Sequence, residues 1–235
     1  MPQAKAIFSL LNLSKMHSVS EENYIKAIYH AQQDSSLVST NEIATRMKTR
    51  ASSVTDMLKK LADKKLAEYV PYRGSRLTPA GMDCAMKIIR KHRLWELFLV
   101  EKLDFSWDEV HEVAEQLEHI QSPKLIDELD KHLGFPKEDP HGDPIPDKNG
   151  KLIQKVKSTL SQLKAGDTGF ITGVGNSSTE FLKYLNKNKL ELGTQIEVLE
   201  HEDFDGSQTI KTNQNTLQIS KKISDNLYIN KKHEN

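Results

Sequence analysis

Two histidines and four glutamates stand in the run W-D-E-V-H-E-V-A-E-Q-L-E-H-I, from Trp107 to Ile120. Wound as a helix at about 100° per residue, the run brings His111, Glu115, Glu118 and His119 into one sector roughly 100° wide. Val113, Ala114, Leu117 and Ile120 take another face, one that can bury itself in a core. Imidazoles and carboxylates stacked along one side repel if charged alike, and lose solvation if buried unpaired. A divalent cation removes both costs; a solvated acidic face with two surface histidines avoids them. His92 and Glu96 repeat the pattern at i, i+4 on the preceding segment. Two helices joined by a short loop pack antiparallel, so these stripes can meet as one ligand set. Oxygen and imidazole donors without thiolate suit Mn(II) or Fe(II), and bind Zn(II), Co(II) or Ni(II) as well.

The elements before this set are those of a DNA reader. Ser20 can cap a helix that opens with two acids and carries Tyr24, Ile25, Ile28 and Tyr29 at helical spacing. After a polar break at 33–36, Ser39 or Thr40 caps a short helix through Met47. A second helix starts at Ser52, with Val54, Leu58 and Leu61 as its inner stripe. Two short helices with a tight junction form a helix-turn-helix. Segments 66–70 and 75–78 flank Pro71-Tyr72-Arg73-Gly74, a β-hairpin with a basic tip that serves as the wing. In such a fold the second helix enters the major groove N-terminus first. Arg46, Arg50, Ser52, Ser53, Thr55 and Asp56 are therefore the candidate DNA-binding residues there, hydroxyls and Arg50 for phosphates and Asp56 for a cytosine amino group. Arg73 on the wing suits the backbone or the minor groove. A winged helix that binds only protein is the alternative.

Charge divides along the chain in the same sense. The formal net charge is zero, yet residues 40–93 hold thirteen basic against five acidic residues, and residues 94–147 hold four against fifteen. A polyanion-binding part joined to a cation-binding part fits this division. One cysteine, Cys84, excludes disulfides and a thiolate zinc cluster within one chain. The absence of a long apolar run or a convincing signal peptide points to a cytoplasmic protein without membrane contact. Met16 offers a second start, which would leave the first fifteen residues as an extension.

Thr78-Pro79 opens a long helix to about Leu103, with more apolar surface than a lone helix needs, read as core plus a homodimer contact. Ser122-Pro123 starts another, through Leu133. Glycines and prolines from Gly134 to Gly150 mark an irregular linker. Short alternating segments at 170–174, 195–199, 208–210, 216–219 and 226–229, interrupted by a helix at 179–188, predict a small β-barrel. The expected architecture is mainly α: an N-terminal extension (1–19), a winged helix-turn-helix domain (20–80), a helical dimerisation and metal-binding domain (81–147), a linker (148–158) and an SH3-like, FeoA-like barrel (159–232).

R-K-H-R-L-x-E at Arg90 to Glu96, V-H-x-x-A-x-x-x-E-H at Val110 to His119, and G-D-P-I-P at Gly142 to Pro146 together resemble the diphtheria toxin repressor family of metal-dependent regulators, its manganese transport regulator branch in particular. The resemblance implies an ancillary metal site from His92, Glu96 and His111, with Glu180 of the C-terminal domain near the matching position. It implies a primary site from Glu115, Glu118, His119 and the first-helix residue Asn23. Iron-responsive members often carry Cys where Glu115 stands, so the carboxylate favours Mn(II) over Fe(II). Asn23 replaces the Asp of manganese regulators, and Lys26 stands where that branch has Glu. A dimeric repressor of metal-ion uptake genes is implied, not an enzyme, with metal fixing the spacing of two recognition helices on a palindromic operator. A metalloenzyme is the other reading of a His/Glu cluster, although no HExxH or comparable catalytic signature is present.

Overall fold

The computed structural model describes residues 17–32, 36–153 and 157–231. The extension up to residue 16, residues 33–35 of the polar break, residues 154–156 of the linker and the C-terminal end of the last domain from 232 lie outside the described residues. The chain forms two compact units. One comprises residues up to His92 with Gln116–Asp127 and Pro146–Lys151; the other comprises Arg93–Glu115, Glu128–Ile145 and Leu152 onward. Among the described residues no helix is long and apolar enough to cross a membrane.

In the first unit, α1 spans Val19–Ala31 and is capped by Ser18. Ser18 Oγ accepts from Glu21 N, and Glu21 Oε2 accepts from Ser18 N at 2.9 Å. The cap falls two residues before Ser20 because only Ser18 has a glutamate three positions on, completing a reciprocal capping box. Ser39 caps α2 (Thr40–Arg46), and α3 spans Ala51–Asp63 with Val54, Leu58 and Leu61 buried. These pack with Ile25, Ile28 and Ile43, each fully buried, in a three-helix core. Strands β1 (Ala67–Val70) and β2 (Gly74–Leu77) pair from Ala67↔Leu77 to Val70↔Gly74. Val38 adds a bridge to Ser75. Gly74, at φ +123°, has to be glycine, since a Cβ there would meet Val38 O at 2.1 Å. Helix α4 runs Pro79–Leu103, as its Thr-Pro start predicts, and Thr78 Oγ1 accepts from Gly81 N.

The acidic stretch folds differently from one uniform helix. Helix α5 covers only Val110–Leu117, and Glu118 and His119 stand in the turn beyond it. Helix α6 (Pro123–His132) then starts with Pro at its first position, where the missing N–H costs nothing.

In the second unit, strands β3 (Ser158–Thr159), β4 (Thr168–Val174), β5 (Gln195–His201), β6 (Gln208–Lys211), β7 (Thr216–Ile219) and β8 (Leu227–Lys231) form an antiparallel sheet of order β3-β8-β4-β5-β6-β7. The expected barrel is therefore an open sheet: β3 is two residues long and does not reach β7 to close it. Inward residues Ile171, Val174, Ile196, Val198, Ile210, Ile219, Leu227 and Ile229 pack under Leu182 and Leu185 of α7 (Thr179–Lys187). A short α8 (Lys221–Ser224) leads into β8.

The proline-rich segment is irregular, as its composition predicts, but it is tightly held. Val174 N donates to His141 O at 3.0 Å. Gly142 lies so close to β4 that a Cβ would meet Thr172 O at 2.1 Å, and its φ is +78°. Trp107 packs against the sheet's core and donates from Nε1 to Asn186 Oδ1 of α7, whose Nδ2 donates to Asp108.

Glu21 ties α1 to α3 by ion pairs, its Oε1 lying 3.1 Å from Lys60 Nζ of α3 and 2.7 Å from Nζ of Lys64, the helix's C-cap, while 1% exposed. Burial alone would raise its carboxyl, but hydrogen bonds from Lys64, Ser18 and Lys60 hold it at about 2. Its folded value lies below the ordinary 4.5, so the stability it contributes is full above about pH 4.5 and is lost as pH falls towards 2. Glu21→Gln should cost about 1–2 kcal/mol in urea denaturation at pH 7, and the gap to wild type should close between pH 4.5 and 2.

Candidate metal centres and nucleic-acid interface

In the first unit, residues from α1, α4 and the turn after α5 converge on two buried carboxylates. Glu118 is fully buried. Its Oε1 accepts from Lys26 Nζ at 2.6 Å, and its Oε2 lies 2.6 Å from His92 Nδ1. Burial would raise this carboxyl, but the His92 hydrogen bond and the Lys26 charge outweigh it and hold it below the usual range. Glu22, 3% exposed, has Oε2 2.6 Å from His119 Nδ1, while its Oε1 accepts from Gln121 Nε2 at 2.7 Å. Lys91 Nζ stands 4.0 Å from Glu22; burial lowers its pKa, and Glu22 and Glu118 oppose that.

Among the described residues, Asn23 Oδ1 of α1 and His119 Nε2 are buried without a hydrogen-bond partner. His119 Nε2 lies 3.7 Å from Glu118 Oε1. Amide oxygen, imidazole nitrogen and carboxylate are donor types of the kind Mn(II) or Fe(II) takes. The other ring nitrogen, held by Glu22, follows the carboxylate–histidine–metal pattern that fixes tautomer and ring orientation. Lys26 opposes occupancy, because its ammonium already sits on the carboxylate a cation would use. Cys84 offers no thiolate, its pKa pushed up to about 11 by burial and then by Glu22.

In the second unit, Glu96 is the centre. Its Oε1 lies 3.4 Å from His111 Nδ1 and its Oε2 lies 3.7 Å from His141 Nδ1. Asp139 Oδ1 stands 3.9 Å from the same nitrogen. Burial, then Glu96 and Asp143, push Asp139 up to about 6; for His141, burial works downward but the Glu96 and Asp139 carboxylates raise it to about 9. Arg93 holds the other side of the loop, with Nε 3.4 Å from Asp139 Oδ2 and a hydrogen bond to Pro144 O.

The ligand stripes expected from sequence thus meet in part. His92 faces Glu118, Glu96 faces His111, and His119 turns one nitrogen to Glu22. Glu115 is exposed on α5, and Glu180 is exposed in the first turn of α7. Glu22, Gln121, Asp139 and His141 escape sequence reasoning. Glu22 looks like an ordinary first-turn acid, and the other three sit in turns without periodicity. Only the G-D-P-I-P motif beside His141 hinted at that loop.

The residues expected to meet DNA are mostly solvent-facing. Arg50 is the N-cap of α3 without a side-chain cap bond. Arg46, Arg50, Ser52, Ser53, Asp56 and Arg73 are exposed, and Thr55 is half-buried with its hydroxyl donating to Ala51 O. Arg46 pairs with Glu42 at 3.3 Å. Tyr72, at the wing tip with φ +63°, is fully exposed and was passed over as a turn residue.

Three family models match the chain. The iron dependent repressor N-terminal DNA binding domain covers residues 16–75, its metal binding and dimerisation domain covers 78–147, and the FeoA domain covers 158–231. The chain is similar to a probable metal transport system membrane protein of Chlamydia trachomatis, 44% identical over 75 residues. That match takes in 32% of this chain but spans only 17% of the relative's length. It is similar to a helix-turn-helix transcriptional regulator of Methanocaldococcus jannaschii, 35% identical over 113 residues, 48% of this chain and 90% of that one. A solved manganese-dependent transcriptional repressor in complex with manganese superposes with a TM-score of 0.78 at 32% identity, covering 89% of this chain and 98% of that one.

Removing one partner of a buried ion pair leaves the other uncompensated, at a cost of about 3 kcal/mol. Lys26→Met should therefore destabilise the metal-free chain by about that much in urea, and should raise Mn(II) affinity about tenfold by clearing Glu118. Added Mn(II) should restore most of the lost stability.

Proposed function

We infer the function of this chain from the fact that it belongs to the iron-dependent repressor family: it is a dimeric, metal-activated repressor of metal-ion uptake genes that acts on palindromic DNA in the cytoplasm. The observation that carries the metal dependence is the pair of buried orphan atoms, Asn23 Oδ1 and His119 Nε2, together with the fully buried Glu118. Glu118, His119 and Asn23 hold the activating ion, and the family resemblance adds Glu115. Mn(II) is the ion favoured, with Fe(II) as the alternative. The donors are oxygen and imidazole without thiolate, and a solved relative of the same architecture is a manganese complex.

When bound, the cation supplies positive charge that a buried carboxylate and an uncharged amide oxygen share. The chain's own residues convert that into DNA geometry. Asn23 and Lys26 stand one turn apart on α1. Glu21 of the same helix is paired with Lys60 of the recognition helix α3 and with Lys64 at its C-cap. Wherever Asn23 is drawn, α3 follows. In a two-fold dimer the two α3 helices must meet half-sites about 34 Å apart, so a small shift of α1 decides whether both can engage. Metal selects the competent arrangement from those already populated. Arg50 and the hydroxyls of Ser52 and Ser53 position α3 on phosphates, Asp56 reads base edges, and Arg73 holds the wing to the backbone or the minor groove.

Binding of the purified full chain to promoter DNA of a metal-uptake gene, measured with Mn(II) and with chelator, tests this directly. Affinity should fall roughly tenfold to a hundredfold in chelator, the range of an allosteric coupling of 1–3 kcal/mol. His119→Ala should bind DNA weakly under both conditions while keeping its helical circular dichroism. Equal affinity with and without metal would refute metal control.

A further inference from the structure

We propose that the first unit carries a binding pocket for a small organic anion, a carboxylate or phosphate on an apolar body, between α4 and the start of α6. All of its lining residues belong to that unit, and Asn23, Glu118 and His119 are not among them.

The pocket has a volume of about 320 Å³, within the range of small-molecule sites. Its lining divides by chemistry. Lys87, Arg90 and Lys91 of α4, with Lys148 of the proline-rich segment, bring four positive charges against one carboxylate, Asp127. Ile120, Pro123 and Ile126 form an apolar wall. An apolar lining with a few convergent charges anchors a ligand by its charged head and buries its body. Inorganic phosphate would leave the wall uncovered, and a neutral molecule would leave the charges unmatched.

The four cations differ in how they are satisfied. Lys87 Nζ donates to Asp83 Oδ2 at 2.6 Å. Arg90 Nη1 donates to Pro146 O at 2.7 Å, which fixes its guanidinium beside the pocket. Lys91 is the poorly matched one. Its side chain is only 12% exposed and makes no hydrogen bond among the described residues; Glu22 Oε2 stands 4.0 Å from its Nζ, beyond hydrogen-bond reach. An ammonium drawn that far out of water without a close partner carries a desolvation cost that an incoming anion offsets by a charge-assisted hydrogen bond. Lys148 is exposed and can reach in from solvent. Ser122 and Pro123 also line the pocket, so the N-terminus of the ten-residue helix α6, the positive end of its dipole, borders the same space.

Calorimetric titration of the full-length chain, dialysed free of metal, tests the pocket apart from metal control. Phenyl phosphate and benzoate are the probes, with inorganic phosphate and phenol standing for the head and the body alone. One phenyl phosphate or benzoate should bind per chain, roughly tenfold or more tighter than inorganic phosphate or phenol, and the tighter of the two identifies the head group. Absence of saturable binding by both probes, or equally tight binding of inorganic phosphate or phenol, overturns the proposal. Lys91→Gln and the surface change Lys148→Glu should each weaken the tighter probe about tenfold, the loss of one charge-assisted contact. Unchanged affinity in both variants places the ligand elsewhere and refutes the site. Methyl NMR spectra of the unaltered chain do not depend on any variant folding. Probe-induced shifts at Ile120 and Ile126 support the pocket, and shifts confined to other isoleucines overturn it.

Discussion

A carboxylate with no exposure to water has to be matched by positive charge or hydrogen bonds, and Glu118 imposes that condition on the first unit. It is matched twice, by Lys26 from α1 and by His92 from α4. The turn that carries Glu118 is thereby tied to the helix that carries the recognition element. Lys26 does, weakly and permanently, what a cation would do more strongly and on demand. A cation taken up at Glu118 would have to outcompete a tethered ammonium. Glu21 extends the linkage on the same helix, a second buried carboxylate matched by Lys60 of α3 and by Lys64 at its C-cap.

On the long helix α4, His92 meets Glu118, and Glu96 meets His111 and His141. An i, i+4 pair that looks like a single motif in the sequence thus draws partners from several segments. Local spacing tells which residues share a side of a helix, but the chemistry depends on what distant segment comes to meet each of them.

Much of the fold was legible. The start and end of α4 follow from Thr78-Pro79 and from sustained apolar spacing, and each predicted segment of the last domain has a strand at its position. The wing and the two short helices of the reader stand where their caps and turn residues place them. Four features were not legible, each for a physical reason. Ser18 outcompetes Ser20 as a cap because of one glutamate at the right offset. The acidic helix ends at Leu117, so a single periodic sector could not describe Glu118 and His119. Glu22 meets His119 across 97 positions of chain, and no local pattern encodes that pairing. Asp139 and His141 lie in a segment whose proline and glycine content signals irregular backbone, and composition of that kind says nothing about burial.

The backbone approach at Gly142 bears on how such chains can be recombined. Loop and strand share a wall there with no room for a side chain, and Trp107 and Asp108 fasten the neighbouring turn to Asn186. The C-terminal sheet is consequently not a detachable cassette. A chimaera that imports another regulator's sheet must import the matching proline loop with it, or leave an indole without its acceptor and a glycine backbone without its counterpart. Ancestral shuffling of this module would have faced the same restriction, and seams between loop and sheet should be rare among its descendants.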